Sequence, residues 1–170
     1  SLTRTERETL EEAWITAARA TPLKVVIHVG CECLTDARAL AAHAQAHGAA
    51  AVGAMPTIFF KANGLDALAA EMAFIAQACP NLPFYYYHMP ERTGQPVPVH
   101  KLLPRIRALA PNTAGAKYTF ENIMDYTLCL EAGFDVLFGR DEILLSALVM
   151  GARGAVGSTY NVFAPLFTAL

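Results

Sequence analysis

An excess of either charge is missing from this sequence: thirteen Lys and Arg stand against fifteen Asp and Glu, a net charge of -2. No basic field is therefore available to hold a nucleic-acid backbone or an anionic membrane surface. Long apolar runs are missing too. Mean hydropathy is positive, at +0.31, yet charge, Pro or Gly cuts every such run well short of the ~20 residues a spanning helix needs. No secretory signal pattern opens the chain, and a soluble chain without nucleic-acid or membrane partners is expected. Cysteine is sparse: Cys31, Cys33, Cys79 and Cys129 show no disulfide framework. The Cys31-x-Cys33 pair also has no second pair or nearby His cluster to complete a tetrahedral metal set. Reduced thiols in a cytoplasmic protein, and no metal, are the expectation. Gly-x-Gly-x-x-Gly, a phosphate loop and a Gly-x-Ser-x-Gly elbow are all absent, so nucleotide binding and serine hydrolysis lose their usual support.

What is present is enough apolar material for a core, 54% of 170 residues, arranged with a regular beat. Strand candidates fall at Lys24 to Gly30, Ala50 to Met55, Pro83 to His88, Ala114 to Lys117, Asp135 to Gly139 and Gly154 to Gly157. Between them lie helical patterns, such as Leu40, His43, Ala44 and His47, or Ile123, Tyr126, Thr127 and Leu130. Apolar residues fill the strands without alternation, as in a parallel sheet covered by helices on both faces. Thr5 with Glu8 resembles a capping box for an opening helix, and Thr35 and Asp36 are positioned to cap the helix reaching Gly48. Units of about 25 residues without a phosphate loop fit an α/β fold of the (β/α)8 barrel type, whose eight units need roughly 250 residues. About six units are visible here, so residues 1–170 are expected to be an internal piece of such a domain. The first two strands and the C-terminal helices would lie outside it.

Only four lysines occur, and Lys24, Lys61 and Lys101 have ordinary positions at a strand start, in a loop and at a helix start. Lys117 ends the small-residue run Thr113-Ala-Gly-Ala-Lys, where a barrel strand would deliver its side chain to the carboxyl-terminal mouth. A desolvated amine there has a depressed pKa and is a usable nucleophile toward a ketone; the alternative is a snorkelling lysine at a strand end. Tyr85, Tyr86 and Tyr87 end another strand. Alternation sets Tyr86 opposite Tyr85 and Tyr87, so that one phenol near the mouth can point inward and move a proton. Asp141 and Glu142 follow a strand end and serve either as helix-start acids or as acceptors for hydroxyls of a polyol. Ser158 and Asn161 bind substrate or cap the next helix. The five histidines do not cluster; His43 and His47 share a helix face without a nearby acid in sequence, and none receives a role.

The runs Phe84-Tyr-Tyr-Tyr-His-Met-Pro, Gly115-Ala-Lys-Tyr-Thr, Phe138-Gly-Arg-Asp-Glu and Gly154-Ala-Val-Gly-Ser-Thr-Tyr-Asn resemble the N-acetylneuraminate lyase branch of the dihydrodipicolinate synthase and N-acetylneuraminate lyase family. The resemblance covers nearly the whole chain in order. It implies a class I, Schiff-base aldolase on a (β/α)8 barrel, commonly a homotetramer, with a 2-oxo acid such as sialic acid or pyruvate as substrate and no metal or organic cofactor. It further implies that Lys117 forms the imine and that Tyr87 shuttles the proton during carbon-carbon cleavage. Thr119, Gly139, Asp141, Glu142 and Ser158 would hold the sugar chain. Three differences accompany it. The Gly-Thr-Thr-Gly-Glu-type carboxylate loop would fall before Ser1. Phe59 and Phe60 stand where relatives often lend a tyrosine to a neighbouring subunit. Arg92 stands where dihydrodipicolinate synthases resemble it with a carboxylate-binding arginine. A pyruvate-condensing aldolase and a non-catalytic pyruvate or sugar-acid binding module remain the alternatives, since fold alone cannot separate them.

Overall fold

The computed structural model describes residues 2–169. Helix α1 (Arg4–Ala18) precedes β1 (Val26–His28), α2 (Leu34–His47), β2 (Ala51–Ala54), α3 (Leu65–Ala76) and β3 (Phe84–His88). There follow α4 (Pro90–Thr93), α5 (Val99–Leu109), β4 (Thr113–Tyr118), α6 (Ile123–Glu131), β5 (Asp135–Phe138), a 3-10 turn (Asp141–Ile143), α7 (Leu144–Val149) and α8 (Tyr160–Phe167). The strands form one parallel sheet in chain order, β1-β2-β3-β4-β5. Of the strand candidates in the sequence, Gly154 to Gly157 does not become a strand: it contributes a single bridge, Phe138 to Ala155.

Capping differs from expectation at two helices. The box that starts α1 is Thr3 with Glu6, two residues earlier than Thr5 and Glu8: Glu6 N–H donates to Thr3 Oγ1 at 3.3 Å and Thr3 N–H to Glu6 Oε2 at 2.7 Å. Thr5 is already inside the helix, its carbonyl accepting from the Thr9 hydroxyl. At α2 the cap position is Cys33, which makes no side-chain capping bond. Asp36 instead meets Arg4 of α1 at 3.1 Å. Gly48 closes α2 with φ of +88°, a left-handed cap that glycine adopts without a Cβ penalty.

One face of the sheet carries the core. Ile27, Val52, Ala54, Phe84, Tyr86, Ala116, Tyr118, Val136 and Phe138 pack there beneath Leu40 and Ala44 of α2, Leu68 and Met72 of α3, and Leu102 and Ile106 of α5. Each fully buried large apolar side chain stabilises by about 1.5–3 kcal/mol relative to exposure. The expectation of two helix-covered faces needs correcting: β3 alternates between buried and half-buried residues, and β1 and β5 expose alternate positions. The second face is concave and open to solvent in this chain, and it bears Tyr85, Tyr87 and Lys117. Gly115 marks the closest backbone approach, because a Cβ there would collide with the Asp135 carbonyl of β5. The β3–β4 register shifts opposite it, between Phe84 and Tyr85.

Asp125 of α6 ties the layer together. Its buried carboxylate accepts from Val99 N–H (3.0 Å), His100 N–H (3.1 Å), His100 Nδ1 (2.5 Å) and the Tyr118 hydroxyl (2.9 Å), so a side chain of α6 caps the start of α5. Burial pushes its pKa up, but the hydrogen bonds from His100, Val99 and Tyr118 outweigh burial and hold it below the ordinary carboxylate value. A depressed folded pKa stabilises the fold fully above the unfolded value, about 3.9, and ceases to do so as pH falls through the folded value. Charge-assisted bonds contribute about 1.5–3 kcal/mol each, and Asp125→Ala is expected to lower stability by more than about 3 kcal/mol. Denaturant midpoints should show that gap at pH 7 and a smaller one near pH 3. A gap that does not change with pH would mean that Asp125 acts through shape alone.

Candidate active site

The concave face is built by strand register. Tyr87 of β3 pairs with Lys117 of β4, which pairs in turn with Leu137 of β5. Both side chains thus rise from neighbouring strands at the carboxyl-terminal end of the sheet. The Lys117 Nζ lies 4.2 Å from the centroid of the Tyr87 ring, a cation–π distance when the amine is protonated. Lys117 makes no ion pair among the described residues. They face a cavity of about 450 Å³ that His28, Gly53, Tyr85, Leu137 and Val156 also line.

The three tyrosines separate by environment. Tyr86 points to the helix layer, fully buried, with no hydrogen-bond partner for its hydroxyl. Tyr85 shares the concave face, but its hydroxyl donates to Asp135 Oδ2 at 2.6 Å, and burial together with that carboxylate pushes its pKa well up. Only Tyr87 combines the concave face with a lightly engaged hydroxyl, which contacts the Met89 thioether at 3.5 Å. That is a weak acceptor, easily exchanged for a substrate oxygen.

Sequence reasoning gave His28 no part, yet it stands edge-on to Tyr87 with ring centroids 5.9 Å apart. Desolvation by its neighbours in the cavity, then the positive charges of Arg7 and Lys117, lower its pKa, although the ring keeps an exposed edge. Nε2 accepts from Met55 N–H at 3.1 Å, so that nitrogen carries no proton. The signal was available: alternation in β1 puts Val26 and His28 on one face, and the cavity is lined by both.

The remaining candidates extend the strand ends. Thr119 N–H donates to the His88 carbonyl and Gly139 N–H to the Tyr118 carbonyl, both at 2.8 Å, continuing the parallel ladders by one residue. Thr119 Oγ1 is buried without a partner, directly against Gly139, where a Cβ would collide with it. Asp141 does cap, although not its own helix: its Oδ2 accepts from Thr159 N–H at 2.9 Å and from the Thr159 hydroxyl at 2.6 Å, while Oδ1 lies against Gly157. Neither Gly157 nor Thr159 was singled out from sequence. Glu142 is exposed and makes no hydrogen bond or ion pair among the described residues. Ser158 is exposed, and its carbonyl accepts from Asn161 Nδ2 at 3.0 Å, so Asn161 serves the local turn.

Arg140, inside the Phe138-Gly-Arg-Asp-Glu run, pairs with Glu91 and lies 3.5 Å from Glu121. It links the segments that follow β3, β4 and β5. Glu91 thus answers Arg140 rather than the exposed Arg92. Phe59 and Phe60 are 81% and 75% exposed, packed edge-to-face, in a loop whose Ile58 and Phe59 N–H groups donate to the Glu32 carboxylate.

Comparison with known proteins agrees with this geometry. The model of the dihydrodipicolinate synthetase family matches residues 1–170. An N-acetylneuraminate lyase of Xenopus tropicalis is 47% identical over 163 residues, 95% of this chain and 53% of the relative. Among solved structures, the N-acetylneuraminate lyase of Aliivibrio salmonicida superimposes with a TM-score of 0.94 at 35% identity, covering 99% of this chain and 56% of that one. The Proteus mirabilis N-acetylneuraminate lyase gives 0.93 at 32% identity, covering 98% and 57%. The chain belongs to the dihydrodipicolinate synthetase family and has the parallel α/β architecture of its (β/α) barrels. It spans about half the length of the curated relatives it matches.

Proposed function

We propose that this member of the dihydrodipicolinate synthetase family is the part of an N-acetylneuraminate lyase that bears the Schiff-base lysine. The observation that carries the reading is the pairing of Lys117 and Tyr87 on adjacent strands, amine over phenol ring at 4.2 Å. The names of its relatives support the substrate. In this reading the chain supplies about six of the eight βα units of one barrel domain, five as strands of the sheet and the sixth reduced to the bridge between Phe138 and Ala155.

The neutral Lys117 Nζ attacks the C2 ketone of open-chain N-acetylneuraminate, and the carbinolamine loses water with the Tyr87 proton, leaving a protonated imine beside a phenolate. That phenolate then takes the C4 hydroxyl proton as the C3–C4 bond breaks. The electron pair moves into the iminium to give a neutral enamine, and N-acetylmannosamine departs as the aldehyde. Protonation of the enamine at C3 and hydrolysis of the imine release pyruvate and free Lys117. Splitting the cleavage in this way replaces one difficult step by easier ones. The route asks for no metal or organic cofactor.

Full-length protein incubated with N-acetylneuraminate should release pyruvate and N-acetylmannosamine in equal amounts. An enzyme that ignores this substrate but condenses pyruvate with aspartate semialdehyde would transfer the assignment to the synthases. Failure of both reactions and of imine trapping would leave a binding module. The polyol end of the substrate is the task of Thr119, Gly139, Asp141, Glu142 and Ser158. Asp141 is already engaged by Thr159, so Glu142 is the carboxylate open to a hydroxyl. Glu142→Ala should lower kcat/KM for N-acetylneuraminate roughly ten- to a hundredfold, the worth of one charge-assisted hydrogen bond. Arg92→Ala should change it little, and the reverse order would favour a substrate with a second carboxylate.

A homotetramer in the cytoplasm completes the reading. The outward Phe59 and Phe60 pair supports an interface, and four cysteines without disulfides support a reducing compartment. No helix of the described residues is long and apolar enough to cross a membrane.

A further inference from the structure

The histidines passed over in the sequence acquire carboxylates once the chain folds. Helices α1 and α2 run side by side in the same direction, so Glu11 and Glu12 come against His43 and His47, more than thirty positions later in the chain. His43 and His47 are one helical turn apart on α2, with ring centroids separated by 4.0 Å. His47 Nδ1 is 2.9 Å from the His43 carbonyl, which can only accept, so Nδ1 carries the proton and Nε2 offers a lone pair. His43 Nδ1 is 2.8 Å from Glu11 Oε2, and Glu11 is only 5% exposed. Both Nε2 atoms therefore face Glu12 Oε1, at 3.1 Å from His43 and 3.5 Å from His47. All three atoms lie within 4.8 Å of one another.

We propose that Glu12, His43 and His47 form a site for a divalent transition metal of the Zn²⁺ class, separate from the lysine site, that clips α1 to α2. Two imidazoles and one carboxylate are a recurrent zinc donor set that leaves a fourth position for water. Metal–ligand bonds of about 2.0–2.2 Å in a tetrahedron set neighbouring donors ~3.3 Å apart, and the two separations to Glu12, 3.1 Å and 3.5 Å, bracket that value. Imidazole donors favour Zn²⁺, Co²⁺ or Ni²⁺ over Mg²⁺ and Ca²⁺. The Glu11 to His43 bond supplies the carboxylate–histidine support that orients a metal ligand and raises its basicity. Glu12 and His47 keep 53% and 38% of their side-chain surface exposed, so an ion enters from solvent without unpacking the helices.

The test uses full-length protein stripped with a chelator and dialysed. Calorimetric titration with Zn²⁺ should give one ion per chain, and Co²⁺ should produce the intense visible bands of a tetrahedral site. His47→Gln and Glu12→Gln, each checked by circular dichroism to be folded as the wild type, should weaken Zn²⁺ binding more than about tenfold. Glu11→Gln, which removes no ligand, should weaken it about 10- to 100-fold. Zn²⁺ should raise the thermal midpoint of the wild type and not that of the His43→Gln, His47→Gln double variant. Absence of stoichiometric binding overturns the proposal. So does binding of unchanged affinity in the double variant, which would put the ion elsewhere.

Discussion

Replacement of Lys117 by alanine in the full-length protein is expected to reduce turnover to background and to remove every trace of covalent capture. With pyruvate and borohydride, the wild type should gain one stable mass increment, on the peptide containing Lys117. In the proposed route every turnover passes through the imine, so no residual route of comparable rate remains once the amine is gone. Lys24 supplies an internal control, because it lines the opposite end of the same cavity where β1 begins. A surface lysine that merely met pyruvate in the cavity would be labelled there as readily. Capture that persists in Lys117→Ala, at Lys24 or elsewhere, would show that the strand-end lysine is not the nucleophile.

Tyr87→Phe removes a single oxygen and keeps the ring that lies over the Lys117 amine. General acid–base groups contribute about a hundred- to ten-thousandfold in rate. Cleavage of N-acetylneuraminate should fall by that range, while trapping with pyruvate, which involves no carbon-carbon cleavage, should fall less. Tyr85→Phe serves as the comparison. Its hydroxyl is spent on Asp135, so its loss should act on stability rather than on the ratio of cleavage to trapping. Wild-type cleavage by Tyr87→Phe would move the relay to another group.

Much of this arrangement could be read from residue order. Lys117 was identifiable because small residues precede it in a short strand, and strand ends point to one mouth in a parallel sheet. Tyr86 and Tyr87 were separable only as opposite faces. Which face met helices depended on tertiary packing, which buried Tyr86 and left Tyr87 in the cavity. Gly154 to Gly157 reads as a strand because its composition suits one, but only Ala155 bridges to β5. The cap of α1 slipped by two residues because Thr3 and Thr5 each precede a glutamate by three positions, and local spacing cannot choose between them. Glu11, Glu12, His43 and His47 were invisible as a group for a different reason. Their meeting is a property of two helices laid side by side, not of any local pattern.

The contact between Thr119 and Gly139 has a historical consequence. A methyl at position 139 would collide with the threonine hydroxyl, so the two positions do not change independently: a side chain at 139 is accommodated more easily once Thr119 has lost its hydroxyl. A methyl at Gly157 would likewise meet the Asp141 carboxylate, which would have to leave Thr159 to make room. Neighbouring substitutions of this kind are strongly non-additive. Change at this end of the sheet is therefore constrained in pairs, and it proceeds more easily from the residue that bears the oxygen than from the glycine packed against it.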